Sequence, residues 1–367
     1  MNQRLEKFSQ WLQESGQTFA FIHSSANVFY LSNFNTEPHE RLLGLFVFPD
    51  KDPFLVCPGM EVSQAKDAGW QYEIIGHGDA DDPWELIHSA LKERGVTEAQ
   101  HVAIEKETLS YERAEQLMKR YPSVTFTSAE EKLHELRLIK DANELEILRK
   151  AAELADFGVE TGVNALREGC TEMEVLATIE YELKKKGIRE MSFSTMVLFG
   201  EKSGQPHGNP GDRKLKKGDL VLFDLGVVLD GYCSDITRTV AFQEVNDKQK
   251  EIYDIVLKAQ LETLEISKPG TRLGDLDKKA REIITNAGYG DFFPHRIGHG
   301  IGIDVHEYPS MSENNDNLLK EGMTYTIEPG IYLPHIGGVR IEDDLLVTKD
   351  GCETLTKYPK ELQIVGN

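Results

Sequence analysis

The stretch Gly218–Thr239, GDLVLFDLGVVLDGYCSDITRT, restricts this chain more than any other. Two β-prone apolar runs flank the pair Asp230-Gly231. Both residues tolerate the positive φ of a type I′ turn, so the stretch predicts a two-residue β-hairpin. In that register Leu229 pairs with Tyr232, and Asp235 lies opposite Gly226. Asp224 is then the same-face diagonal neighbour of Asp235, roughly 7–8 Å away. A slip of one residue would send one carboxylate to the other face. Two carboxylates facing each other from an apolar hairpin repel unless a cation lies between them. Two solvated aspartates on an exposed hairpin are the plainer alternative, and further ligands are needed to displace it.

At 367 residues the chain is expected to form two domains, each large enough for its own core. The net charge of −21 disfavours nucleic acid or an anionic membrane as partner. The N-terminal MNQRLEKFSQWLQESG places Leu5, Phe8 and Leu12 on one helical face and does not read as a signal peptide. No run approaches eighteen consecutive apolar residues. Cys57, Cys170, Cys233 and Cys352 are scattered, without a C-x-x-C, and read as reduced thiols. A cytoplasmic protein is expected.

Up to about Val124, β-prone runs (Phe19–Ile22, Leu43–Phe48, Pro53–Cys57, Tyr72–Ile75, His101–Glu105) alternate with helical patterns at Pro83–Arg94 and Tyr111–Arg120. The alternation predicts an N-terminal mixed α/β domain over 1–126. The polar loop Asn33–Arg41 is its most unusual part and reads as a surface turn. A charged linker helix is expected over 127–140. From Asp141 to the end, 141–367, the chain repeats itself. Asp141 with Glu144, and Thr171 with Glu174, open two helices through capping boxes. A second helix pair runs from about Lys248 to Pro269 and from Thr271 to Gly288. After each pair come a His- and Gly-containing passage and a two-stranded segment with two acids, Asp224/Asp235 and then Glu328/Glu342. Internal repetition of this kind predicts two αα-ββ halves about a pseudo-twofold axis, their strands merging into one sheet. The fold class expected is therefore α/β (α+β).

The second half supplies what the hairpin lacks. PHRIGHGIGIDVHE sets His295, His299 and His306 among alternating glycines, which permit close backbone approach. Glu328 ends one β-prone run, and Arg340 and Glu342 share one face of another. A lone histidine or acid is ordinarily structural or solvated. Four carboxylates and an imidazole in repeated context form a metal site. They exceed the needs of one zinc and suit two divalent ions about 3.5–4 Å apart. Oxygen-rich ligation favours manganese, cobalt or zinc over copper.

The ordered set Asp224, Asp235, His299, Glu328, Glu342, within FDLGVVLDGYCSDITRTVA, GHGIGIDVHE and VRIED, resembles the pita-bread metallopeptidases: methionine aminopeptidase, aminopeptidase P and prolidase. The N-terminal half argues against a bare methionine aminopeptidase, and the five ligands argue against creatinase, which shares the architecture without them. With WLQESG and the DPW at Asp82–Trp84, the whole chain is most similar to bacterial prolidases, Xaa-Pro dipeptidases. The resemblance implies a creatinase-like N-terminal domain, a pita-bread catalytic domain, and metal ligation by those five residues. Two divalent ions per subunit, manganese foremost, would ionise a bridging water that attacks the trans Xaa-Pro amide. Glu328 is the implied base. His207, His306 and Arg340 match positions that contact substrate or stabilise the developing charge, and His295 lies near the site. For Arg340 a salt bridge holding Glu342 is the competing reading. The resemblance also implies a homodimer in which N-terminal segments close over the partner's site, with Asn33–Arg41 the candidate lid. Aminopeptidase P, acting on longer peptides, and a metal-free binding protein on the same fold are the alternatives.

Overall fold

A computed structural model describes residues 2–366. The chain divides into two compact units, Met1–Arg137 and Leu138–Asn367. The boundary expected at 126 falls inside the strand Thr125–Ser128, which pairs in parallel with His101–Ile104. The helix Glu130–Leu138, expected as a linker, lies with the first unit except for its last residue, and its Leu133 is fully buried.

The first unit is built on a six-stranded mixed sheet in the order 73–77, 54–58, 44–47, 19–22, 101–104, 125–128. Its core is aromatic, with Phe46 stacked between Phe21 and Phe54 at centroid distances of 4.9 and 4.6 Å. Asp82 caps the helix Pro83–Glu93 by accepting from the Trp84 amide, and the proline sits in the first turn where its missing N–H costs nothing. The Asn33–Arg41 loop leaves a helix through Asn33 at φ 62°, buries Phe34, and is tied by Thr36 to Glu61 and by Arg41 to Asp79.

In the second unit, both expected capping boxes form, opening Ala142–Ala165 and Glu172–Lys185. This pair shares a hydrophobic core with the sheet ordered Ile364–Val365, Ile236–Phe242, Leu220–Leu225, Met196–Phe199. The second pair, Asp247–Ile266 and Leu273–Asn286, does the same for the sheet built around Gly298–Gly300, Thr324–Ile327 and Asp343–Val347. The second helix of that pair begins later than expected. Arg272 occupies its cap without a side-chain bond, because the Thr271 hydroxyl donates back to Ile266 O at 2.7 Å.

The hairpin has the expected register: Leu229 pairs with Tyr232 and Leu225 with Ile236, on either side of Gly226 and Asp235. Asp230 and Gly231 both take positive φ, 47° and 84°. Gly226 is required by close approach, since a Cβ there would lie 1.7 Å from Ser234 O. Counting outward from the pair Ile327/Asp343, Glu328 falls opposite Glu342. The single merged sheet does not form. The two sheets meet at one bridge, Thr237 with Glu342, where the Glu342 amide donates to Thr237 O at 3.1 Å. Beside it the Glu342 carbonyl accepts from Arg238 Nη1 at 2.5 Å, and the backbone of Arg340 bonds the Thr239 hydroxyl in place of a ladder.

Arg238 and Asp343 form a fully buried ion pair across this seam at 2.7 Å. Burial alone would raise the Asp343 carboxyl, yet Arg238 and Lys360 hold it below its ordinary range. Removing Arg238 leaves Asp343 to Lys360 and strips the carbonyls of Glu342 and Tyr358 of a buried donor. Arg238→Met is expected to cost about 3–5 kcal/mol, read as a shift of the urea midpoint at constant slope. A cost within experimental error would mean that the seam does not depend on this pair.

Candidate metal centre

The seam gathers the acids. Asp224 is the penultimate residue of one strand and Asp235 precedes its hairpin partner, while Glu328 follows a strand of the second sheet and Glu342 precedes that strand's partner. His299 is the middle residue of Gly298–Gly300, where Cβ atoms on the flanking glycines would strike Thr326 O and Tyr308 O. All five line one cavity of roughly 380 Å³, together with His207, His295, His306 and Arg340. Every site residue expected from the sequence is thus brought to one place. Cavities of that size suit a small ligand.

Ligand atoms of Asp235, His299 and Glu342 lie within 4.8 Å of one another, and all three residues are buried. His299 Nε2 is 3.7 Å from Asp235 Oδ2 and 3.7 Å from Glu328 Oε1. The ring's other nitrogen, Nδ1, lies 3.1 Å from the Gly300 carbonyl and donates to it. That fixes the tautomer and points the Nε2 lone pair at the acids. Burial, with His306 adding to it, lowers His299 to about 3, so the imidazole is neutral and free to ligate.

The acids behave oppositely. Burial raises Glu328 to about 7, with Asp224 adding to the effect and Arg340 opposing it. Burial and neighbouring carboxylates push Asp235 and Glu342 well above the usual carboxylate range. Asp224 Oδ1 and Asp235 Oδ1 are buried without a hydrogen-bond partner. Orphaned carboxylate oxygens beside a neutral imidazole lone pair are a donor set for a divalent cation, and the residues present fit a metal.

Around these ligands lies a frame that sequence reasoning did not identify. Thr237 Oγ1 donates to Glu342 Oε2 at 2.6 Å and accepts from Arg340 Nε at 3.0 Å. Arg340 forms its ion pair with Asp224, so the salt bridge weighed for Glu342 is made to a different ligand. Its Nη1 donates to Tyr332 Oη at 2.9 Å, and Tyr332 donates to His295 Nε2 at 2.8 Å. Asp344 accepts from the Asp235 amide at 2.9 Å. Arg296, Phe193, Met196, Val305 and Pro206 complete the lining. Thr237 and Tyr332 sit in ordinary strand patterns and carried no signal. Asp344 stands two residues after Glu342, where the acidic run Glu342-Asp343-Asp344 was a signal. His306 lies edge-on to His299, with ring centroids 4.2 Å apart.

Comparison with known proteins agrees with this geometry. Residues 146–349 match the model of metallopeptidase family M24, and residues 4–139 match the creatinase/prolidase N-terminal domain. The chain is 64% identical to the protein YkvY of Bacillus subtilis over 99% of both chains. Among solved structures it resembles an Xaa-Pro dipeptidase from Bacillus anthracis at 36% identity, with a TM-score of 0.90 and 99% of each chain covered. It also resembles an X-Pro aminopeptidase from Thermotoga maritima at 32% identity, with a TM-score of 0.86, covering 95% of this chain and 98% of that one.

The raised acids carry a consequence for stability. For Glu328 the folded metal-free protein holds its proton up to about pH 7, whereas the unfolded chain releases it near 4.5. The folded state therefore binds more protons between these values, and this group's contribution to stability falls as pH rises through that window. Chelator-treated protein should lose Tm from pH 5 to 7.5, more steeply than a Glu328→Gln variant. Divalent cation should flatten the profile. Equal slopes in parent and variant would remove Glu328 as the cause.

Proposed function

This chain belongs to metallopeptidase family M24, and from that premise we propose that it hydrolyses Xaa-Pro dipeptides and releases proline. The observation that carries the reading is the convergence of Asp224, Asp235, His299, Glu328 and Glu342 in one cavity, faced by His207, His295 and His306. We assign the first five as ligands of two divalent ions, manganese foremost with cobalt or zinc as substitutes. Bound there, the ions supply Lewis acidity for amide hydrolysis.

The protein's own groups do the rest. Glu328 takes the proton of the attacking water. His306, kept neutral by burial and by Arg296, donates an N–H to the oxygen on which charge develops, and His207 faces the same space. An Xaa-Pro nitrogen carries no hydrogen, so it departs with a proton, which Glu328 returns. Arg340, 4% exposed, fixes Asp224 and, through Thr237, Glu342. Its part is to orient ligands more than to meet the substrate carboxylate. Phe193, Met196 and Val305 offer an apolar wall for the proline ring.

We further infer a cytoplasmic homodimer acting on small peptides, with the 33–41 loop of one copy limiting substrate length at the other. No helix among the described residues is long and apolar enough to cross a membrane. The four cysteines are free. An aminopeptidase acting on longer chains shares the fold, so chain length is the property to measure.

Rates on Xaa-Pro and Xaa-Pro-Yaa-Yaa should favour the dipeptide, and shortening the 33–41 loop should erode that preference. Preference for the longer peptide in the parent selects the aminopeptidase reading. Asp235→Ala should lose at least one metal equivalent and nearly all activity with the fold retained; full activity at unchanged metal content would sink the dimetal centre. His306→Ala should keep its metal and lose roughly 10²–10³ in kcat, the cost of removing one transition-state donor. A parallel fall in metal content would make His306 a ligand.

A further inference from the structure

The two exposed histidines facing the centre, His207 and His306, sit on irregular backbone, and irregular backbone is mobile unless something holds it. His306 ends the turn 301–306, which joins Gly298–Gly300 to the strand Glu307–Met311. The residue after it, Glu307, does not point to solvent: its side chain is 5% exposed. Glu307 Oε1 accepts from the Ile303 amide at 2.7 Å and from the Asp304 amide at 3.1 Å. Its other oxygen meets Lys140 Nζ at 3.1 Å, and the Lys140 side chain is 2% exposed. The turn folds tightly over the carboxylate, for a Cβ at Gly302 would lie 2.7 Å from both of its oxygens. Lys140 is itself fixed, its amide donating to Gly322 O at 2.9 Å.

We propose that Glu307, charge-paired with Lys140, is a positioning residue that clamps the turn 301–306 and so aims the His306 imidazole at the reacting carbonyl. The proposal rests on the hydrolytic role given to His306 above. The clamp is a charge-assisted one: a carboxylate paired with a lysine binds amide N–H groups more strongly than a neutral acceptor would. The same device recurs at the other exposed histidine. Glu172, fully buried, accepts from the amides of Phe199 at 2.9 Å and Gly211 at 2.8 Å and pairs with Lys202. Those residues bracket the segment bearing His207. Two glutamate–lysine pairs, each accepting from two backbone amides, thus flank the two exposed histidines.

The test uses the full-length protein loaded with diamagnetic zinc and the paired replacement Lys140→Met with Glu307→Leu, which removes the amide acceptor together with its lysine. Metal content should match the parent. The kcat should fall about 10–100-fold with KM unchanged, the range for losing a group that orients a functional side chain. In histidine-labelled protein the His306 ring signal, assigned by its absence in His306→Ala, should broaden or split while the His299 signal stays single. Lys140→Arg alone, which keeps the charge pair with Glu307, should retain both the parent's kcat and the single His306 signal. A His306 signal like the parent's, or kcat and KM like the parent's, would overturn the clamp. If the parent hydrolyses no Xaa-Pro peptide, the dipeptidase reading falls by itself, and the ring signal alone decides whether the clamp exists.

Discussion

The structure depends on a repulsion. Four carboxylates enter one cavity from two sheets, and burial makes their charges costly to hold together. Without a cation the site resolves this cost by keeping protons, as the raised Asp235, Glu328 and Glu342 indicate. With a cation the same crowding becomes affinity, because the charges that repel one another all attract the ion. His299, buried and neutral, fits either state.

Such a centre needs stiff walls, and the walls carry charges of their own. Arg238 lies on the seam between the sheets, binding Asp343 and the Glu342 carbonyl at once. Arg340 does the corresponding work inside the cavity, joining Asp224 to Tyr332 and Thr237. Both guanidiniums are almost fully buried, and their planar forks satisfy several acceptors in fixed directions. The hydrophobic helix pairs behind each sheet supply the bulk stability. These two arginines supply the registration of one sheet against the other, on which the ligand geometry rests.

The first unit has a buried polar centre of its own. Its buried Glu105 binds the amides of His23 and Ser24 and the side chain of Asn27, which organises the turn before the helix Ser25–Ser32. That is structural work, in keeping with a half in which the sequence offered elements but no chemistry.

What the amino-acid sequence determined by itself was local. Alternating apolar runs, capping boxes and the Asp230-Gly231 turn specify their elements through bonds between residues a few positions apart, and each formed where its pattern lay. The ligand candidates were legible because a hairpin with known register fixes the faces of Asp224 and Asp235, and because the acids recur in a repeated context. Tertiary structure decided the rest. Where the two strand pairs meet, side chains take the backbone groups: the Glu342 carbonyl accepts from Arg238, 104 positions away, and the Arg340 backbone bonds the Thr239 hydroxyl. Whether Arg340 serves Glu342 or Asp224 depends on a contact across 116 positions. Tyr332 and Thr237 gain their roles only when the two sheets meet. Hydrogen bonds between distant residues leave no periodic trace in a sequence, since nothing local requires them. They exist only once hydrophobic burial has brought both partners to the same seam.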